Sequence, residues 1–232
     1  RSAVNWTGRG WSIWSAYPIV HPAVIIFFAP KSEFSMTPIE KQNLLDEIER
    51  IKASIETEVQ LLDGYNDELR EVYLPIQYYL KLDDYKTGLK YLRWYQKIVH
   101  GDVGAPDFIF ECSLILFMND KLKEAKRKAV EAFFNNTYIF DKFFGRELAP
   151  IDKLESWDNE KPEYLADFKY SSTQPQLAAF SQWLSEFERS DKFQSISKRF
   201  IAALIWMKYE KDRKVLEYLS HIDDHLMKEL HD

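Results

Sequence analysis

The chain has 232 residues, enough for one large domain or two small ones with a substantial buried core, which excludes a miniprotein held together by disulfides or a metal. Apolar residues make up 46% and charged residues 29%, a balance that excludes extensive disorder, and the formal charge of −6 argues against generic phosphate-backbone binding as a main task. Aromatic residues reach 16% while Gly and Pro number only seven and nine, which points to helices joined by short loops rather than to turn-rich sheets.

Residues 1–31 differ in composition from the remaining residues. They hold Trp6, Trp11 and Trp14, three of the nine prolines and no acidic residue, so this stretch carries +3 and the rest of the chain −9. The apolar run at residues 23–29 is far shorter than the roughly 20 residues that span a bilayer. Pro18, Pro22 and Pro30 also break any helix around it. Neither a membrane span nor a secretory signal is expected. Glu33-Phe34 is what an EcoRI cloning site encodes, and Met36 lies just beyond it. Residues 1–35 therefore read as an extended, non-helical apolar arm, either native or introduced in cloning, with a potential for self-association. Residues 36–232 read as one helical domain.

From Met36 onward the period is helical. Thr37-Pro38-Ile39-Glu40 has the form of a capping box with Pro at the first helical position. Leu44, Ile48, Ile51, Ile55, Val59 and Leu62 then recur at spacings of three and four, which predicts a helix of about 25 residues with one apolar stripe. The stripe suits packing on later helices of the same chain, or a coiled-coil seam.

Two helix-turn-helix units come next, offset by 37 residues. One turns at Asp83 and places Gly88, Leu92 and Tyr95 on its second helix; the other turns at Asp120 and places Ala125, Ala129 and Ala132 there. Nine residues before each small residue stand Tyr79 and Leu116. In this pattern the sequence resembles the tetratricopeptide repeat, whose units are roughly 34 residues long. A small residue on the second helix lets the first helix approach closely, and stacked pairs share one core. A third pair is drawn from Phe180, Trp183, Leu184 and Phe187, a turn at Ser190-Asp191, and Ile196, Phe200 and Ala203. The pairs cover about 69–99, 106–136 and 177–208. A short helix closed by Gly145 and an irregular connector at 147–175 separate the last two, and a capping helix is expected at 210–230. The expected fold is all-α, with antiparallel pairs stacked as a short tetratricopeptide-like superhelix.

No catalytic motif is present: the sequence lacks G-x-S-x-G, a Walker loop, G-x-G-x-x-G, H-E-x-x-H and C-x-x-C. Cys112 lies in an apolar helix and reads as a small buried hydrophobe. His221 and His225, four apart beside Asp224, have a metal-like spacing but read as solvated positions on the capping helix. No cofactor or metal is expected. The resemblance implies that the first helix of each pair faces a ligand. It assigns Arg70, Tyr73, Gln77, Leu80 and Lys81 in the first copy, and Phe110, Leu114, Phe117 and Met118 in the second. These side chains serve either as a concave aromatic groove or as core between helices. The expected function is a non-catalytic adaptor or scaffold binding a protein or peptide segment, located in the cytoplasm and without a membrane anchor. The alternatives are an enzyme with a site assembled from dispersed residues, or a regulator whose basic helix 121–128 meets nucleic acid.

Overall fold

Thr37 starts the helical body through the cap its sequence encodes. Its hydroxyl accepts the Glu40 N–H at 3.2 Å, while the Glu40 carboxylate accepts the Thr37 N–H at 2.7 Å. In the computed structural model, which describes residues 36–62, 70–98 and 104–230, with the backbone alone at residues 59–62 and 70, every regular element is helical. The expected arm over residues 1–35, and self-association through it, lie outside the described residues.

Helix α1 (Pro38–Leu62) buries Ile48, Ile51 and Ile55 against the 3₁₀ turn Arg70–Tyr73 and helix α2 (Leu74–Lys81). These three positions of the apolar stripe are thus matched within the chain. Helix α2 pairs with α3 (Tyr85–Ile98), and α4 (Pro106–Phe117) pairs with α5 (Leu122–Asn135). The two connecting turns repeat one hydrogen-bond scheme at an offset of 37 residues. In the first, Asp83 N–H donates to Leu80 O at 3.3 Å and Asp84 N–H to Tyr79 O at 3.0 Å. In the second, Asp120 N–H donates to Phe117 O at 3.0 Å and Lys121 N–H to Leu116 O at 2.9 Å. Asp83 and Asp120 hold left-handed backbone, at φ 54° and 57°, as a tight helix-to-helix reversal demands.

Helix α6 (Ile139–Phe144) ends at Gly145, whose φ of 67° lets Arg146 N–H return to Asp141 O at 2.8 Å. The connector beyond it is packed rather than loose. Lys153 is buried within it, its ammonium 3.1 Å from Glu155 and 5.3 Å from the Tyr138 ring centroid. Asn136 donates to the carbonyls of Asn159 and Lys161 at 2.7 and 3.0 Å.

Helices α7 (Ala178–Glu188) and α8 (Asp191–Tyr209) form the third pair, but their turn is built differently. Ser190 caps α8 by accepting the Phe193 N–H at 3.3 Å, with ordinary extended backbone instead of a left-handed residue. The single capping helix expected at 210–230 is two: α9 (Arg213–Leu219) and α10 (Ile222–Glu229). The break falls at Ser220, whose hydroxyl donates to Glu217 O at 2.8 Å, a local bond of the kind that competes with helix continuation. Leu219, Ile222 and Leu226 still share the core.

Two clusters of buried side chains meet at α4. Phe108, Cys112, Ile115 and Leu116 join α1, α2 and α3. Ile109, Phe110 and Leu114 join α5 through α10. Among the described residues no helix is long and apolar enough to cross a membrane.

Candidate functional site

A cleft of about 170 Å³ lies where the last turn of α2 faces the end of the connector. Gln77, Leu80 and Lys81 come from α2 and Tyr85 from the first position of α3. Lys169, Tyr170, Gln174, Gln176 and Leu177 form the opposite wall. That volume suits a single side chain of a larger ligand, since it falls below the roughly 300 Å³ at which pockets for drug-sized molecules begin.

Local hydrogen bonds hold both walls. On the helix side the Tyr85 hydroxyl donates to Asp83 Oδ1 at 2.8 Å, and burial together with that carboxylate raises the phenol's pKa. The Lys81 ammonium stands 5.7 Å from the Tyr78 ring centroid. On the connector side Gln174 accepts the Ser171 N–H at 2.9 Å and donates to Lys169 O at 3.3 Å, clipping the turn into one piece. Across the cleft Lys169 Nζ donates to Gln77 Oε1 at 3.4 Å. Two lysines and three carboxamides thus line the cleft with no carboxylate, around an apolar base of Leu80 and Leu177.

One carboxyl lies behind this wall. Glu111, in the middle of α4, is 1% exposed; Oε1 accepts the Tyr170 hydroxyl at 2.8 Å and Oε2 has no hydrogen-bond partner. Burial pushes its pKa well above the carboxylate range; the Tyr170 hydroxyl is the main opposing effect, Asp107 adds a lesser rise, and Lys169 and Gln77 oppose it more weakly. Glu111 lies behind the Tyr170 wall and does not itself line the cleft.

The nine positions assigned by the resemblance divide into separate groups. Gln77, Leu80 and Lys81 meet in the cleft. Tyr73, Phe110 and Leu114 do not face a groove: all three are buried, Tyr73 4.4 Å from the Phe108 ring centroid and Phe110 against Phe143, Phe168 and Phe180. The connector and α7 fill the space in front of α4 that a groove would need. Phe117 and Met118 are half-buried and pack on the core, Phe117 against Phe180 and Trp183. The side chain of Arg70 lies outside the described residues. Lys169, Tyr170, Gln174 and Gln176 are not foreseen by the sequence pattern. Their only sequence signal is an irregular, polar stretch, with nothing in it to show which helix it meets.

Of the other ligand-like patterns, His221, Asp224 and His225 line one open cleft of about 450 Å³ with Lys214, Glu217, Tyr218 and Lys228. Burial raises the Cys112 thiol's pKa, which disfavours the thiolate. No group of three or more His, Cys, Asp or Glu side chains that could hold a metal occurs among the described residues, and His225 lies against the Tyr218 ring. On the basic helix, Lys128 pairs with Glu131 at 2.7 Å, Glu124 pairs with Arg93, and Lys126 stands over the Phe187 ring. Lys121, Lys123 and Arg127 stay exposed. Comparisons with protein-family models, with curated proteins and with solved structures find no match.

Proposed function

We propose that this chain is a non-catalytic scaffold that binds an extended protein segment and seats one anchoring side chain in the cleft between α2 and residues 169–177. The observation that carries the reading is the meeting of Gln77, Leu80 and Lys81 at one cleft, with an apolar base and a rim of amide and ammonium donors. The tetratricopeptide-like reading gains support from the two equivalent turns at Asp83 and Asp120. Its one cysteine is a free, buried thiol, which suits a reducing cytoplasm.

A peptide library displayed on phage and panned against the full chain tests the proposal. Enriched peptides should share a motif and bind with a measurable Kd that weakens at least about tenfold in Lys81→Glu with Gln176→Glu, the loss of about 1.4 kcal/mol of binding. Trp157→Ser, at an exposed position outside the cleft, should leave the Kd unchanged. Peptides that bind the double variant as tightly as the parent chain would overturn the proposal, and so would panning that yields no shared motif.

A further inference from the structure

Charge is distributed unevenly over the helices. Residues 85–98 and 121–135 hold nine of the chain's 31 lysines and arginines but two of its 37 acids. On α3 the cations are Lys86, Lys90, Arg93 and Lys97, at spacings of four, three and four, and the helix carries no carboxylate. That spacing sets them in one stripe, about 16 Å long, on a single helical face. Lys86, Lys90 and Lys97 are exposed and, among the described residues, enter no ion pair. Helix α1 shows the contrasting arrangement, in which Arg50 pairs with Glu47 at 2.7 Å and Lys52 with Glu49 at 3.1 Å.

Two contacts set α5 beside this stripe. Asn119 Nδ2 donates to Tyr85 O at 2.8 Å at the start of α3, and Arg93, within the stripe, pairs with Glu124. Lys121 and Arg127 stand three residues to either side of Glu124; both are exposed and, among the described residues, outside any ion pair. The nearest acids in sequence belong to the two turns. Asp83 accepts the Tyr85 hydroxyl at 2.8 Å, Asp84 accepts the Thr87 N–H at 3.1 Å, and Asp120 holds its left-handed position. Like charges three and four residues apart destabilise a helix, so the stripe is a local cost in a chain with more acids than bases, and an anionic partner relieves it.

We propose that Lys86, Lys90, Arg93 and Lys97, with Lys121 and Arg127 of α5, form a docking face for an acidic segment of a partner protein, separate from the cleft. The length of the face selects the class of partner. About 16 Å matches about five residues of an extended chain, and all but two of the chain's acids lie outside these two stretches. A short acidic segment keeps its charge on the face, whereas a nucleic acid carries its phosphates onward over a net acidic molecule. Trp94, half-buried four residues after Lys90 and three before Lys97, adds an apolar contact for a segment that mixes acids with an aromatic or aliphatic residue. Glu124 moderates the face, because its pairing answers the charge of Arg93 within the chain.

Fluorescence anisotropy of the full chain with a labelled peptide of three Glu-Asp-Glu-Phe repeats tests the face. The peptide should bind, and more weakly as salt rises. Lys90→Glu with Lys97→Glu should weaken binding at least about tenfold. Lys198→Glu with Lys211→Glu reverses two exposed cations elsewhere, with the same change of net charge, and should alter binding less than about twofold. Glu124→Gln, which frees Arg93, should tighten binding about twofold. None of these positions lines the cleft, so failure of this proposal and failure of the cleft proposal are distinguishable. A peptide that does not bind, an equal loss in the two reversed pairs, or a Glu124→Gln variant that binds no tighter would overturn the proposal. An oligouridylate of the same net charge that binds more tightly than the peptide would do the same.

Discussion

A Cβ added to Gly88 would stand 2.7 Å from Ile115 Cδ1 and 3.1 Å from Tyr79 Cβ, so this glycine is the point at which α3 meets α2 and α4. Gly88→Ala sets two effects against each other: about 1 kcal/mol gained from helix propensity and about 1–3 kcal/mol lost to overpacking. Because Tyr79 Cβ is bound directly to backbone, packing should prevail, with a net loss of about 1 kcal/mol. Ile115→Val deletes the methyl that blocks the space. In that background only the 3.1 Å contact with Tyr79 Cβ remains, so Gly88→Ala should cost less than in the parent chain, and a double-mutant cycle from urea unfolding should show a coupling of at least about 0.5 kcal/mol.

The left-handed turn at Asp120 makes a prediction about shape rather than charge. Asp120→Val places a β-branched side chain at a φ of 57° and should cost about 1–2 kcal/mol, whereas Asp120→Gly should be close to neutral. Equal unfolding midpoints for the two variants would contradict the turn as described.

Removing the Tyr170 hydroxyl isolates what the buried carboxyl costs. Tyr170→Phe removes the hydroxyl that Glu111 Oε1 accepts and should destabilise by about 1–3 kcal/mol at pH 5. Combining it with Glu111→Leu removes both polar groups and should recover most of that loss. Thermal melts of the four proteins of the cycle provide the check.

Glu111 also imposes a pH dependence on stability. Its folded pKa is raised, chiefly by burial and then by Asp107, so the folded chain retains a proton that the unfolded chain has released. The stabilisation is fully present below the unfolded carboxylate value of about 4.3 and is lost as pH rises towards the folded one. The free energy of unfolding of the parent chain, compared with that of Glu111→Gln in urea at pH 5, 6, 7 and 8, should therefore fall progressively across the series. A constant difference would mean that Glu111 titrates normally.

At the start of α1, Thr37→Ala deletes the side-chain acceptor for the Glu40 N–H and should cost about 1 kcal/mol. The loss should be local, with faster hydrogen exchange in the first two turns of the helix and unchanged protection at Ile48 and beyond.

What can be read from the sequence is local in origin. The Thr37 cap, the turns at Asp83 and Asp120 and the glycine stop at Gly145 each depend on residues a few positions apart, and periodicity alone places the helices between them. The break at Ser220 is hidden from periodicity because Leu219, Ile222 and Leu226 continue the apolar stripe straight across it. The cleft is half legible: helical spacing puts Gln77, Leu80 and Lys81 near one another, but their facing wall comes from a segment about 90 residues later with no periodicity. The same segment explains why Phe110 divides from them, while Tyr73 is buried on Phe108 and Tyr95. An aromatic residue at helical spacing looks the same whether it faces a ligand or Phe168, and only tertiary packing decides between the two.

The burial of α4 from Phe108 to Leu116 has a consequence for how the protein folds. One helix supplies a wall to each of two hydrophobic clusters, so neither cluster is complete in a fragment that lacks it. Cutting the chain before α4 would deprive α1, α2 and α3 of a partner for Tyr73, Tyr79 and Gly88, and cutting after it would strip α6 and α7 of Phe110. With one helix common to both cores, the expected outcome in calorimetry is a single unfolding transition for the two halves.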